Sequence, residues 1–325
     1  MLQPQIRFKI LVAGHLDPLI AKSLSVDHDV TFIYDLHDDD LVPLLTEIQP
    51  EVLVVRTTLI TEKELKASSA LKLIVKSGTG VDTVQIDAAK SLGIRVCNCP
   101  GQNKDAVAEL TLGLILSCDR RIPSNVIDSR NGKWNKTAYS EGKGLLGSTL
   151  GVLGFGAIGK AVAARAKAFK MNVVVYDAYP PSKELAEQLG VTVASSPLDI
   201  ASVADFISIH VPALPSTAGM VNAEFLERVK PGTAIINCAR STIVDEDILP
   251  KYLDSKALIY ATDAPVGEPK TGSSVFEDPL MHHPNVYITH HIGGSTVQAL
   301  SAVAELGVEI VQRYSKGELI HCVNL

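Results

Sequence analysis

The chain has 325 residues, of which 46% are hydrophobic and 20% are charged, a composition that is typical of a globular protein and excludes a disordered chain. Its 30 basic and 36 acidic side chains give a formal charge of −6, which argues against a nucleic-acid backbone as the main partner. No apolar run approaches the roughly 18 residues that a membrane span needs, and at about 150 residues per domain the length predicts two domains.

Short apolar strands alternate with helical segments in the first hundred residues. The predicted strands are 8–14, 29–34, 51–56, 71–78 and 94–99. Helical spacing and turn signals mark 18–24, 40–49 and 61–68 between them. Strands that alternate with helices predict a parallel sheet covered on both faces, which is an α/β fold.

A second strand–helix series follows a long apolar helix predicted over 104–121 and a mixed, turn-rich segment, 122–148. Its predicted strands are 149–155, 172–177, 191–194, 205–212, 233–239, 258–264 and 285–291, with helices to about Lys170 and over 182–189. A last helix is predicted over 296–315, started by Ser295 and Gln298 at capping-box spacing, before a short return strand in the tail. We expect one domain formed by 1–103 and 297–325, with a nucleotide-binding domain, 104–296, inserted in it.

The segment Gly154-Phe155-Gly156-Ala157-Ile158-Gly159 matches the GxGxxG pattern. It follows a predicted strand and opens a helix, the context in which the pattern binds a dinucleotide. Gly154 allows the tight turn, Gly156 lets the backbone approach a pyrophosphate, and Gly159 lets the helix pack close to the strand.

Asp177 ends the next predicted strand, 18 residues after Gly159. A carboxylate at this distance accepts hydrogen bonds from an adenosine ribose and repels a 2′-phosphate. The residues that follow Asp177 supply no Arg or Lys to reverse that repulsion, so the pattern predicts NAD rather than NADP. The alternative is an ordinary solvated acid at a strand end.

From about residue 51 onward, the chain resembles the D-isomer-specific 2-hydroxyacid dehydrogenases, and it is most similar to the branch that acts on D-3-phosphoglycerate. The segments that carry the resemblance are KSGTGVDTVQIDAA (76–89), GIRVCNCPGQNKDAVAELT (93–111), LGVLGFGAIGKAVAARAKAF (150–169), VKPGTAIINCAR (229–240), DAPVGEP (263–269) and HHIGGST (290–296). The resemblance implies two doubly wound domains, a Rossmann NAD domain inserted in a flavodoxin-like substrate domain, with catalysis in the cleft between them.

Three catalytic side chains are implied by this resemblance. Arg240 would bind the substrate carboxylate two-pronged and polarise the 2-oxo group. His291 would be the general acid–base, and Glu268 would hold it through a carboxylate–imidazole hydrogen bond. The chain departs from the family in the DAPVGEP run and in having Ser241-Thr242 where Gly-Gly is usual.

The resemblance also implies further cofactor contacts. The positions beside the adenosine are His210, Val211, Pro212 and Thr217, and those near the nicotinamide are Cys238, Ala239, Asp263, Gly293 and Gly294. Cys238 is expected to pack against the ring rather than act as a nucleophile.

The expected substrate follows from two cations, Arg56 and Lys76, at the ends of predicted strands. They would suit a phosphorylated acid, since a phosphomonoester carries about two negative charges near neutral pH. Backbone N–H groups of the loop that contains Ser77, Gly78 and Thr79 would bind its carboxylate. The alternative is that Arg56 and Lys76 are ordinary solvated charges.

The leading hypothesis is an enzyme of serine synthesis that oxidises D-3-phosphoglycerate to 3-phosphohydroxypyruvate with NAD. One alternative is a reductase of glyoxylate, hydroxypyruvate or another D-2-hydroxy acid, and another is an NADH-sensing, corepressor-like binding protein. Five cysteines without metal spacing favour a reducing cytoplasm and no metal. The family further suggests a homodimer, and the expected lack of a regulatory module predicts no feedback inhibition by serine.

Overall fold

A computed structural model describes residues 6–36, 40–269 and 275–325 and divides the chain into two compact units. The first unit contains the described parts of Met1–Asn103 and Ser295–Leu325, together with Pro269 and Val275. The second unit contains Lys104–Glu268 and Phe276–Gly294. The expected assignment of substrate and NAD to these two parts of the chain stays a proposal.

The first unit is built on a five-stranded parallel sheet in the order β2-β1-β3-β4-β5. Its strands are β1 (Lys9–Ala13), β2 (Asp29–Ile33), β3 (Val52–Val55), β4 (Leu73–Lys76) and β5 (Arg95–Asn98). Its helices are α1 (Pro18–Leu24), α2 (Leu41–Ile48), α3 (Glu62–Ala67), α4 (Ile86–Ser91) and α12 (Val297–Tyr314). Hydrophobic clusters lie on both faces of the sheet, which explains why β3 is buried along its whole length. This strand order is that of a flavodoxin-like fold.

The second unit has a seven-stranded parallel sheet in the order β12-β11-β10-β9-β6-β7-β8. Its strands are β6 (Thr149–Leu153), β7 (Asn172–Tyr176), β8 (Thr192–Val193), β9 (Phe206–Ile209), β10 (Ala234–Asn237), β11 (Ile259–Thr262) and β12 (Val286–Ile288). Its helices are α5 (Lys104–Arg120), α6 (Ile122–Arg130), α7 (Ala157–Ala168), α8 (Lys183–Leu189), α9 (Pro197–Val203), α10 (Ala223–Arg228) and α11 (Leu249–Ser255), with 3₁₀ turns at Thr137–Tyr139 and Ser241–Ile243. The order reverses beside β6, as in a Rossmann fold, so the predicted pair of doubly wound sheets is confirmed.

The segment 122–148 contains a helix that the sequence reading missed. Arg121 has a φ of 49°, and this left-handed residue separates α5 from α6. Pro123 lies in the first turn of α6, where its missing N–H costs nothing. None of the side chains of α6 is buried within its unit, so its apolar residues give little periodic signal.

The predicted capping box at the start of α12 is wrong. The N-cap is Thr296, whose hydroxyl accepts a hydrogen bond from the N–H of Ala299 at 3.2 Å. Thr296 is extended and directly precedes the first helical residue, which is the N-cap geometry. The Ser295 hydroxyl instead accepts a hydrogen bond from Arg56 at 3.0 Å.

The predicted return strand in the tail is reduced to one antiparallel bridge between Cys97 and Cys322. The side chain of Asn324 continues the pairing along β5. Its Oδ1 accepts from the N–H of Val96 at 2.9 Å, and its Nδ2 donates to the carbonyl of Ile94 at 2.8 Å. Asn324 is only 3% exposed. Its side-chain amide makes the two bonds to this edge that the backbone of a paired strand would otherwise make.

Candidate active site

The turn after β6 can be built only with glycine at two positions. Gly154 has a φ of +97°, and a Cβ on it would lie 2.6 Å from backbone atoms of both His210 and Val211. A Cβ on Gly159 would collide with the carbonyl oxygen of Gly154. The two residues therefore let β6, α7 and the end of β9 approach one another at the backbone.

Gly156 has a different role from its two neighbours in the motif. It is the N-cap of α7, which Ala157 and Ile158 then begin, and no atom lies within 4 Å of the position that its Cβ would take. A side chain would fill this open space in front of a helix N-terminus, where backbone N–H groups attract an anion. The turn thus fits the pyrophosphate of a dinucleotide.

Asp177, directly after β7, is hydrogen-bonded to the glycine turn. One carboxylate oxygen accepts from the N–H of Phe155 at 2.6 Å, and the other accepts from the N–H of Tyr179 at 2.8 Å. Each carboxylate oxygen can accept more than one hydrogen bond, so this arrangement still suits the ribose role predicted for Asp177.

The segment after β9 contains the residues predicted to lie beside the adenosine. The Thr217 hydroxyl donates to the carbonyl of Pro212 at 2.5 Å and accepts from the N–H of Leu214 at 2.9 Å, so it closes this loop on itself. Val211 is buried. Burial lowers the pKa of His210 to about 3, so its imidazole is neutral at physiological pH.

The strand β10 leads directly to Cys238, Ala239 and Arg240. Asn237 fixes this turn, because its amide donates to the carbonyl of Arg240 at 2.9 Å and accepts from the N–H of Ala239 at 3.0 Å. Burial raises the pKa of the Cys238 thiol to about 12, which keeps it protonated and suits the packing role expected for it. The sequence reading did not identify Asn237.

The two residues that replace Gly-Gly after Arg240 cause no backbone strain. Ser241 and Thr242 lie in the 3₁₀ turn Ser241–Ile243, and neither is among the described residues with a positive φ. The departure from the family pattern at this point therefore leaves the backbone in an ordinary conformation.

Asp263 holds the loop that carries the predicted acid–base residue. Its carboxylate is 3% exposed and accepts from Thr289 Oγ1 at 2.6 Å, from the N–H of Ile292 at 2.9 Å and from the N–H of Gly293 at 2.7 Å. A Cβ on Gly293 would lie 2.9 Å from Asp263 Oδ2, which explains the glycine, and Gly294 follows it. The sequence reading assigned Asp263 to the nicotinamide and did not detect this positioning role.

His291 and Glu268 form a direct pair. The Nδ1 atom of His291 lies 2.8 Å and 2.7 Å from the two carboxylate oxygens of Glu268. His291 has a φ of 51°, and both side chains are more than one third exposed. It is His291, rather than the exposed neighbour His290, whose ring meets the carboxylate.

Arg56 and Lys76 come together in the first unit at the carboxyl ends of neighbouring strands. β3 and β4 are parallel with Val55 opposite Lys76, and Arg56 directly follows Val55. Lys76 is 7% exposed, and Arg56 is half-buried. Burial lowers the pKa of the Arg56 guanidinium, although a group of this kind stays charged at physiological pH.

The loop after β4 is bound to β3, to itself and to the segment that follows β5. The N–H of Ser77 donates to the carbonyl of Val55 at 2.7 Å, and that of Gly78 donates to the carbonyl of Lys76 at 2.8 Å. Thr79 donates through its hydroxyl to Asn103 at 3.0 Å. The carboxylate-binding role proposed for this loop therefore rests on the N–H groups of Thr79 and the following Gly80 more than on those of Ser77 and Gly78.

The predicted catalytic and cofactor-binding residues thus lie in the second unit, and the predicted substrate-binding residues lie in the first. Two features are absent from the described residues, 6–36, 40–269 and 275–325. In these ranges, no group of His, Cys, Asp and Glu side chains has the arrangement of a metal site. No helix there is both long and apolar enough to cross a bilayer.

Comparison with known proteins gives a consistent result. Residues 112–293 match the family model described as the NAD-binding domain of the D-isomer specific 2-hydroxyacid dehydrogenases. Over 315 residues, the chain is 38% identical to a hydroxypyruvate reductase of Thermotoga maritima, covering 95% of this chain and 98% of that protein. It is 36% identical to a D-3-phosphoglycerate dehydrogenase of Methanocaldococcus jannaschii over 96% of this chain, but it spans only 58% of that longer protein.

The similarity extends to a solved structure. The NAD-bound 3-phosphoglycerate dehydrogenase of Entamoeba histolytica superposes with a TM-score of 0.81 at 26% sequence identity. The match covers 98% of this chain and 99% of that one.

Proposed function

This chain belongs to the D-isomer specific 2-hydroxyacid dehydrogenases, and we propose that it oxidises D-3-phosphoglycerate to 3-phosphohydroxypyruvate. That it is an NAD-dependent dehydrogenase of D-2-hydroxy acids follows from the family and from the glycine turn described above. The choice of substrate is the proposal, and the environment of Arg56 carries it.

Arg56 is a half-buried cation held by a neutral group. Its Nη2 donates to the Ser295 hydroxyl at 3.0 Å, and within the described parts of the chain no carboxylate pairs with it. A guanidinium presents five donors in a fixed fork, and one serine oxygen uses only a small part of this capacity. Together with Lys76 at the next strand end, it suits the phosphate of a phosphorylated hydroxy acid.

The pairing of His291 with Glu268 determines which nitrogen moves the proton. Because Nδ1 faces the carboxylate at 2.7 Å, Nδ1 carries the hydrogen that Glu268 accepts, and Nε2 is left as the base. We propose that Nε2 takes the proton of the substrate hydroxyl and that the Glu268 carboxylate stabilises the resulting imidazolium. NAD, when bound, supplies the acceptor for the hydride.

Arg240 is proposed to bind the substrate carboxylate. Its backbone is held by the Asn237 amide and its guanidinium donates to the carbonyl of Ala239 at 2.7 Å, so the side chain has a defined starting position. A two-pronged pairing with a carboxylate orients a 2-hydroxy acid, and an oriented substrate reacts faster than a freely rotating one.

The second candidate is reduction of hydroxypyruvate or glyoxylate. It is favoured by the 38% identity to a hydroxypyruvate reductase that the chain covers almost completely. On this alternative, Arg240, Glu268 and His291 keep their roles, and only the roles of Arg56 and Lys76 change.

The test is NADH absorbance at 340 nm during turnover, with D-3-phosphoglycerate and NAD in one assay and hydroxypyruvate or glyoxylate with NADH in others. We expect the highest kcat/KM for the phosphorylated pair, and Arg56→Ala should lower that value by about 10- to 100-fold while leaving unphosphorylated acids nearly unchanged. The exposed Arg228→Ala is the matched control. Equal losses for both substrate classes in Arg56→Ala would exclude the phosphate role, and no turnover of any 2-hydroxy acid would favour the NADH-sensing protein.

We propose further that the protein is a cytoplasmic homodimer of serine biosynthesis. Most of the apolar side chains of α5 are buried within its own unit, so this helix is part of a core. The exposed apolar residues of 122–148 are therefore the candidate surface, with Trp134 87% and Leu146 76% exposed. Light scattering after gel filtration should give twice the chain mass, and Trp134→Glu should weaken the dimer.

A further inference from the structure

Two of the five cysteines face each other in the first unit. Cys97, in β5, and Cys322, in the tail, are partners in an isolated antiparallel bridge. Cys97 is completely buried, whereas Cys322 is half-buried. The register of the bridge places the two side chains next to each other, with the Cys322 thiol donating to Asn324 Oδ1 at 3.3 Å, and neither cysteine is part of the proposed catalytic group.

The hydrogen bonds on either side define the geometry of this bridge. The N–H of Asn98 donates to the carbonyl of His321 at 3.2 Å, and the N–H of Val323 donates to the carbonyl of Val96 at 2.9 Å. These bonds flank the two cysteines, which are therefore a non-hydrogen-bonded pair. In such pairs the Cα atoms are about 4.5 Å apart and the side chains lie on the same face. A disulfide needs a Cα separation of about 4.4–6.8 Å, so no large backbone movement is required.

We propose that Cys97 and Cys322 are a redox modification site that forms a reversible intrachain disulfide in the presence of hydrogen peroxide. The register of the bridge, the shared face of the two side chains and the partial exposure of one partner together carry this proposal. It is independent of the substrate proposed above.

The reaction begins at the half-buried thiol. Hydrogen peroxide oxidises Cys322 to a sulfenic acid and is reduced to water. The sulfur of Cys97 then attacks the sulfur of Cys322 and forms the S–S bond, while the hydroxyl of the sulfenic acid leaves with the Cys97 proton as a second molecule of water. Burial raises the pKa of the Cys97 thiol to about 12, with a further contribution from Cys322, so Cys97 acts as the resolving and not the first reacting group.

The bond would tie the tail to β5 covalently. The tail is already held on β5 by Asn324, and Lys90 Nζ of α4 donates to the carbonyl of Leu325 at 2.6 Å. Because the backbone bonds already hold the two cysteines opposite each other, we expect oxidation to raise the thermal unfolding midpoint, and dithiothreitol to restore the original value.

The test counts thiols with Ellman's reagent after the protein is treated with hydrogen peroxide, freed of oxidant and unfolded. The reduced chain should show five thiols, and the oxidised chain should have lost two of them. Trypsin should give a cross-link between 96–104 and 317–325, with fragment ions that place the bond at Cys97 and not at Cys99. Dithiothreitol should return all five.

The variants separate this pair from the other thiols. After treatment with hydrogen peroxide, Cys322→Ser should keep all of its thiols. Cys99→Ser and Cys118→Ala should each still lose two. Five thiols remaining in the oxidised wild type, or a pair still lost in Cys322→Ser, would overturn the proposal. Oxidation that stops at a sulfinic acid on Cys322, seen as a mass gain of two oxygen atoms, would overturn it as well.

Discussion

Asp263 in the second unit and Arg56 in the first both hold a charge at the carboxyl end of a parallel sheet, but the chain surrounds them differently. Asp263 is almost completely buried and accepts three hydrogen bonds from the loop that precedes and contains Gly293. Arg56 is half-buried and donates to one serine hydroxyl. Within the described residues, three donors satisfy the first charge, whereas the second uses one of its donors on a neutral hydroxyl.

A charge at a strand end can therefore either hold a loop in place or remain able to pair with a ligand. A buried carboxylate with three donors is costly to replace, because its loss leaves those donors without partners. It acts on the shape of the loop, and through the loop on His291. A cation whose described partner is neutral is able to pair with an anion, which is the role proposed for Arg56.

The largest expected effect concerns the residue that the Asp263 loop presents. His291→Gln should lower kcat by about 100- to 10,000-fold for every 2-hydroxy acid, because the side chain proposed to accept the proton is lost. His290→Gln, at the exposed neighbouring position, is the matched control and should stay within about twofold of the wild type. A large loss in His290→Gln, with none in His291→Gln, would show that His291 is not the residue that transfers the proton.

Asp263→Asn tests the scaffold role directly. The amide NH₂ would face the N–H of Gly293 or of Ile292, so at least one donor would lose its acceptor. We expect the free energy of unfolding in urea to fall by about 1–3 kcal/mol and kcat to fall for all substrates alike. Asp254→Asn, at a side chain that is 81% exposed, should change neither. Unaltered stability in Asp263→Asn would contradict the assignment.

Ser295→Ala tests the other side of the comparison. Without its hydroxyl partner, Arg56 should be held less firmly, and kcat/KM for the phosphorylated substrate should fall by about two- to tenfold. Stability and the turnover of unphosphorylated acids should stay close to the wild-type values, as should all parameters of Ser91→Ala. A general loss of stability would show that Ser295 supports the fold rather than Arg56.

Glu246 is a second carboxylate in the same unit as Asp263, but it has fewer donors around it. The one described hydrogen bond that its carboxylate accepts comes from Tyr260 at 2.8 Å. Burial raises its pKa to about 7, in part opposed by that hydrogen bond and supported by the nearby Asp278. Between about pH 4.5 and 7 the folded chain therefore keeps a proton that the unfolded chain releases, and the contribution of Glu246 to stability falls as pH rises.

Glu246→Gln should remove this pH dependence. Between pH 5 and pH 8, the free energy of unfolding should fall less in the variant than in the wild type, by a difference on the order of 1 kcal/mol. The exposed Glu224→Gln should follow the wild-type curve. Parallel curves for Glu246→Gln and the wild type would exclude a raised pKa at Glu246.

The sequence predicts best what depends on neighbouring residues. The two parallel sheets and the GxGxxG turn were identified because strand periodicity and glycine sterics are local properties of the chain. The closeness of Arg56 to Lys76 could also be expected, because parallel strands that follow one another end on the same side.

The missed features join residues that are far apart in the chain or compete for one role. Ser295 has the spacing of a helix cap, but Thr296 takes that position, and the Ser295 hydroxyl meets an arginine 239 residues away. Asp263 and Gly293 are 30 residues apart. Asn237 is only three residues from Arg240, but its bond to that carbonyl depends on the shape of the turn between them. No period or motif of the sequence indicates such contacts, which only the folded chain creates.

The Asn324 side chain has a consequence for the solubility of the folded chain. β5 is the outermost strand on its side of the five-stranded sheet, and an uncovered outer strand is a template on which another chain can add a strand and begin to aggregate. By bonding to the N–H of Val96 and the carbonyl of Ile94, one amide occupies the groups that such a strand would need. Together with the backbone bonds of His321 and Val323, this amide covers the edge of β5 and opposes the addition of a strand from another chain.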